Sequence, residues 1–167
     1  MFMDLNGAVV ADTVYVDNTL VAKDVSIVLP EVAPQSIDLT ALGTMSLPNW
    51  LMLDNMETTV TKIGVDLGFR SMVKPESMDV EFRWVHTLTG ADGNTTNQGC
   101  KAFIHGVPTK IPSISVAPGE AGENECAFMT TRYQLYVGGE EMFLIDRLAG
   151  IVRIGGTDYA AGLSNLL

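Results

Sequence analysis

His86, His105, Cys100 and Cys126 are the residues whose side chains could bind a metal or attack a substrate, so they decide first what chemistry this chain can perform. A zinc centre needs about four nitrogen or sulfur ligands in tetrahedral reach, usually supplied as closely spaced pairs. The two histidines fall in different strand segments and no ligand pair recurs, so the spacing supplies no metal site. Nucleophilic catalysis needs a Ser, Cys or Thr beside a base held by a third group, and no Gly-x-Ser-x-Gly elbow or comparable motif is present. The glycines at 90, 93, 99, 106, 119, 122, 138, 139, 155 and 156 fall in or beside turns, and none forms a phosphate-cradling pattern between a strand and a helix. The acidic loop Pro118–Glu125 lacks the alternating Asp/Asn ligands of a calcium loop. Trp84 continues an apolar strand face and reads as core, whereas Trp50, after Pro48, reads as a contact residue. No catalytic residue, metal ligand or cofactor site is assigned.

The elements that would have to position such groups are strands. Alternation dominates: Val25, Ile27 and Leu29 against Asp24 and Ser26, Ile37 and Leu39 against Ser36, Asp38 and Thr40, and Met78, Val80, Phe82 and Trp84 against Asp79, Glu81 and Arg83. The first two sets predict half-buried strands, with Pro30 and Pro34 making a corner or an edge between them. Glu57–Val65 predicts a strand with Glu57, Thr59 and Thr61 on one polar face. Asp66 caps a predicted helix through Leu67, Phe69, Met72 and Val73 that stops at Pro75. Thr89–Asn97 reads as a polar turn, and strands follow near Cys100–Val107, Glu125–Val137, Met142–Asp146 and Gly150–Ile154. The pair Gly138-Gly139 marks a tight hairpin between Tyr133 and Asp146. Tyr159–Leu167 reads as a short terminal helix or an arm. The pattern predicts an all-β, mainly antiparallel sandwich or barrel with one short flanking helix, in a single domain over 1–167.

Composition narrows the function classes. Hydrophobic residues make up 47% and charged residues only 18%, which leaves much uncharged surface for self-association. A net charge of −10 disfavours a protein that grips phosphate. Two cysteines make no disulfide framework and predict a reduced, cytosolic chain. The start, Met1–Gly7, lacks a basic and an apolar region, and no run reaches eighteen apolar residues, so neither an export signal nor a membrane span is predicted.

Several short motifs, taken in order, carry a resemblance: Val21–Pro30, Leu42–Ser46, Thr109–Ser113, Pro118–Glu120, Tyr133–Leu135 and Ile145–Asp146. Together they make the chain similar to the major tail tube proteins of contractile-tailed phages, to the tubes of R-type bacteriocins and, more distantly, to type VI secretion tubes. The resemblance implies a structural protein and no enzyme: a hexameric ring whose subunits lend strands to one continuous inner barrel, with rings stacked into a tube inside a contractile sheath. It implies the tail sheath, a baseplate or initiator and a tail terminator as partners, with double-stranded DNA passing through unbound. The setting would be a virion tail or tail-like particle assembled in the bacterial host cytoplasm. With about four strands from each of six subunits, roughly 24 strands about 4.8 Å apart and tilted about 45° close to a diameter of about 50 Å and a bore of about 40 Å. Such a bore must be polar, hydrated and not basic. The polar strand faces offered for it are Ser36, Asp38 and Thr40, then Glu57, Thr59 and Thr61, then Thr130, Arg132 and Gln134. Ring-stacking contacts are expected from the long apolar loop Leu39–Met56, through Leu42, Met45, Trp50, Leu51 and Leu53, and from Phe2 in an arm over Met1–Leu5. Two other readings stay open, an injection-system tube that carries protein effectors and a monomeric β-sandwich binding module, for example for glycans, with Trp50 in its site.

Overall fold

Alternating side chains, broken wherever the backbone must turn through positive φ, set the strands of this chain. The computed structural model describes residues 4–163 and 165–167, and among these it holds twelve strands and one short helix. In order they are β1 (Leu5–Val16), β2 (Thr19–Lys23), β3 (Ser26–Val28), β4 (Pro34–Thr40), β5 (Thr44–Leu53), β6 (Met56–Ile63), α1 (Leu67–Met72), β7 (Met78–Thr89), β8 (Thr95–Pro108), β9 (Glu123–Val137), β10 (Glu140–Asp146), β11 (Ile151–Ile154) and β12 (Thr157–Asp158). Every pairing is antiparallel. The main sheet runs β12-β11-β10-β9-β8-β7-β1-β2, and β6 joins β9 and carries β3, while β4 and β5 form a separate two-stranded sheet.

The predicted Gly138-Gly139 turn is present, with φ of 59° and 86° at its two central residues. That is the primed hairpin geometry whose twist matches its strands, and it pairs Val137 with Glu140. The same geometry occurs at Asp17-Asn18, with φ of 47° and 65°, which closes β1 onto β2.

Val14, Val16, Val21 and Ala22 of β1 and β2 share one core cluster with Val60 of β6 and Cys126 and Phe128 of β9, although these strands lie far apart in the sheet path. The sheet therefore curls over on itself around a single apolar interior, completed by Phe82 and by Phe69 and Met72 of α1. Fully burying each such side chain contributes about 1.5–3 kcal/mol. This is the all-β barrel or sandwich with one flanking helix that the pattern predicts. A smaller cluster of Leu53, Met56, Ile145, Val152 and Ala160 joins the foot of β5 to β10 and the C-terminal strands.

α1 begins where predicted. Asp66 is its N-cap, accepting a hydrogen bond from the Phe69 amide at 3.1 Å. Its carboxylate also meets Lys62 Nζ at 2.6 Å, and that buried ammonium donates to the Val21 carbonyl at 3.0 Å. A charge taken out of water must be compensated, and these partners do so while tying β6 to β2 and to the helix. Gly68 is the entry for this close approach, since a Cβ there would lie 2.2 Å from the Val21 oxygen. The Lys62 hydrogen bond, aided by the Phe69 amide, holds the Asp66 carboxyl below its ordinary value of 3.8 against the opposing pull of desolvation. A carboxyl with a lowered folded-state pKa contributes stability above its unfolded value and loses it as pH falls through the folded one. Asp66→Asn keeps a cap but loses the ion pair. Its melting temperature should therefore fall below the native one at neutral pH, because the buried Lys62 ammonium loses its charged partner. The gap should close below the lowered pKa, and a gap that persists in acid would show that the charge is not its source.

Four expectations need correction. Leu39–Met56 is no loop but the β4–β5 hairpin with a loop at 41–43. Ile37 and Leu39 face no core, because β4 pairs with β5 alone in a separate sheet and neither residue joins a core cluster. Leu5, expected to end an N-terminal arm, opens β1, and the arm's first three residues lie outside the described residues. Tyr159–Leu167 forms turns with no helix among its described residues.

Candidate functional site

The strands bring His86 beside Cys100 but set His105 elsewhere. His86 meets Gln98 through Nε2 at 3.0 Å and lies 3.5 Å from Cys100 Sγ through Nδ1, while His105 Nδ1 lies 2.7 Å from Asp79 Oδ1 on another part of the sheet. Among the described residues no three His, Cys, Asp or Glu side chains gather as a metal cluster. Both thiols are free and buried, and burial raises the pKa of each, Cys126 to about 11.

What the structure does assemble is surface. In the β4–β5 hairpin the register Ile37↔Leu47 and Leu39↔Met45 puts four apolar side chains on one face. Ser36↔Pro48, Asp38↔Ser46 and Thr40↔Thr44 make the other. The apolar four are each 41–46% exposed, and none belongs to a core cluster of the described residues. An isolated two-stranded hairpin is marginal in water, and an amphipathic one is a surface awaiting a partner. Leu42 stands fully exposed at the tip with φ of 53°. Near the foot Gln35 pairs with Asn49 but Pro34 with Leu53, so Trp50, Leu51 and Met52 bulge outward and are exposed. Of the stacking residues expected from sequence, Leu42, Met45, Trp50 and Leu51 are thus exposed on the hairpin. Leu53 is corrected: at 7% exposure it belongs to the second core cluster. Phe2 lies outside the described residues. Ile37, Leu39 and Leu47 were not singled out as contact residues, although their alternation with polar neighbours was the available signal.

The polar set divides as well. Ser36, Asp38 and Thr40 share the hydrophilic hairpin face. Glu57, Thr59 and Thr61 share the outward face of β6, opposite Met129, Ala127 and Glu125 of β9. Thr130 is corrected: it is 1% exposed and its hydroxyl is bonded to the buried Thr58 hydroxyl at 2.7 Å. The cause is a bulge. β8 pairs His105 with Arg132 but Gly106 with Thr130, leaving no β8 residue in register with Thr131 and reversing which side chains of β9 point inward. Cys126, Phe128 and Thr130 are buried below the bulge and Tyr133 above it. Arg132 and Gln134 therefore face out, into an open concavity of about 800 Å³ across β7, β8 and β9 that also has Asp79, Lys101, Phe103, His105 and Tyr136 in its wall. Gln134 is not free there: its amide donates to Glu141 at 2.6 Å and to the Tyr136 hydroxyl at 2.8 Å. Glu141 is clamped by Arg153 at 2.6 and 3.0 Å, and the Arg153 hydrogen bond, then that of Gln134, holds its carboxyl below the ordinary range. Trp50 lines neither this concavity nor the smaller cleft beside the hairpin foot.

A sequence-family model described as phage tail tube protein FII matches residues 9–167. The chain belongs to that family. No curated protein matches it. Two solved structures share the fold of this tail tube protein. One, a chain of the sheath–tube complex of an extracellular contractile injection system, PVC, in the extended state, has a TM-score of 0.52 at 14% identity, over 78% of this chain and 90% of that one. The other, from the sheath/tube terminator of the same kind of system in the extended state, has a TM-score of 0.52 at 16% identity, over 77% of this chain and 95% of that one. The phage tail tube protein is thus a structural tube protein, a component of a tail or tail-like particle.

Proposed function

We propose that the whole chain acts as one tail-tube domain, that subunits associate head to tail into hexameric rings closing one continuous inner barrel, and that the rings stack into the inner tube of a contractile tail or injection particle. The observation that carries this reading is the β4–β5 hairpin, whose apolar face, Ile37, Leu39, Met45 and Leu47, stays exposed among the described residues. A heterologous interface that closes on itself covers such a face in every subunit and leaves no exposed edge. The hydrophilic hairpin face and the Glu57, Thr59 and Thr61 face of β6 line the bore. Hydroxyls hold water there, and acidic groups keep a phosphate backbone from adhering. The cargo is duplex DNA in a phage, with protein effectors the alternative in an injection system. The two structural relatives come from sheath–tube and terminator assemblies, which supports a sheath and a terminator as partners of this chain. A baseplate initiator and assembly in the bacterial host cytoplasm complete the reading.

Negative-stain microscopy of concentrated protein, with sedimentation, tests it. Striated tubes or six-fold rings with a central bore are expected. A chain that stays monomeric at high concentration, even when seeded with tube fragments, overturns the reading.

A further inference from the structure

The pair Ile145-Asp146 stands out in the sequence, and neither the core count nor the bore explains why an acid should end β10. Ile145 is buried in the second cluster against Leu53, Met56, Val152 and Ala160. Asp146 then folds the chain back: its Oδ1 accepts the Leu148 amide at 3.1 Å and the Ala149 amide at 3.0 Å, the side-chain-capped turn that aspartate favours. That turn aims Arg147 at the foot of the hairpin. The Arg147 amide donates to the carbonyl of the bulge residue Thr131 at 3.0 Å, and its guanidinium Nη2 donates to the Leu53 carbonyl at 3.1 Å, across 94 residues of sequence. The Asp54 amide, next to Leu53, donates to the Ala33 carbonyl at 2.9 Å and so joins the hairpin's two rails at the foot. The hairpin otherwise leaves the body with no strand beside it.

We propose that Ile145, Asp146 and Arg147 form a latch that fixes the direction in which the β4–β5 hairpin projects, with Arg147 as a positioning residue. A rigid foot presents the apolar face already oriented, so less conformational freedom is lost when a neighbour covers it. The consequence for stacking rests on the function proposed above, whereas the latch itself is a property of the single subunit.

A spin label at Thr44→Cys, beside the hairpin tip, reads the latch in the monomer. Cys100 and Cys126 are buried thiols with raised pKa and stay unlabelled under brief treatment. Arg147→Ala should loosen the label, shortening its rotational correlation time roughly two-fold or more on the nanosecond scale, while the core melts as a cooperative unit. Arg83→Ala, which removes a sheet arginine paired with Glu81 far from the hairpin foot in the pairing scheme, should leave the label unchanged. Label mobility identical to the native protein in Arg147→Ala overturns the latch. If that variant does not fold, Asp146→Ala, which releases the turn that aims the arginine, is read in its place with the same expectation. Arg147→Ala should also raise several-fold the protein concentration at which tubes form. Unchanged assembly beside a loosened hairpin overturns the link to stacking, and a native protein that stays monomeric even when seeded overturns the proposed function while the label still decides the latch.

Discussion

Replacing Leu39 and Leu47 together with aspartate should abolish tube formation while leaving the melting temperature of the monomer nearly unchanged. Both side chains lie on the apolar hairpin face, more than two-fifths exposed, and neither belongs to a core cluster. Exposed substitutions away from caps and cores usually change stability by no more than about 0.5 kcal/mol. Assembly is different, because each carboxylate would have to be dried against a neighbour's apolar surface. Burying a polar group without a partner costs about 2–7 kcal/mol, and an ion costs more. Even the low end of that range, about 1.4 kcal/mol per factor of ten, raises the concentration needed for assembly more than ten-fold for each contact. The measurement is sedimentation of native and doubly substituted protein over a concentration series, with microscopy of the pellets. Tubes of native length from the aspartate variant would show that this face is free in the assembled state.

The largest effect on the subunit itself is expected at Phe128. It is fully buried in the main core, on the lower half of β9 and opposite Thr58 of β6. Phe128→Ala removes the ring where strands from both ends of the curled sheet converge, and a backbone held by ladders on both sides cannot collapse to refill the space. Large-to-small changes of this kind cost about 3–5 kcal/mol. For a chain of this length that corresponds to a fall on the order of 10 °C in melting temperature. Calorimetry of the purified variant checks it. A fall of only a degree or two would mean that the core around Phe128 is loosely packed.

How far the sequence could be read depended on whether burial imposed a pattern. β7 was legible because one face of Met78–Trp84 packs on the core and the other carries Asp79, Glu81 and Arg83. α1 was legible from the Asp66 cap, and the β9–β10 turn from its two glycines. β1 was not. Its first seven residues, Leu5–Ala11, are exposed throughout and show no alternation, so only the Asp17-Asn18 turn could have betrayed the strand. The hairpin was half legible. The alternation in Ser36–Thr40 marks a strand, but a single chain cannot say whether an apolar face meets its own core or a neighbour, and here its own core is absent from that face. Thr130 was misplaced because alternation carries no sign of an extra residue. Gly106 was the one clue, since a Cβ there would lie 2.5 Å from the Met129 carbonyl oxygen beside the bulge.

That out-of-register threonine bears on how such a chain can change over time. The lower half of β9 gives its even-numbered side chains to the interior and the upper half its odd-numbered ones, with Thr131 as the residue between them. Removing or adding one residue within β9 would turn half the strand inside out, exposing Phe128 or burying Arg132, whereas replacing one side chain leaves the phase intact. Drift in this strand is therefore free in spelling and constrained in counting. The segments that can absorb insertions are those where no phase has to be kept, such as the exposed 41–43 hairpin loop and the 109–122 connection between β8 and β9.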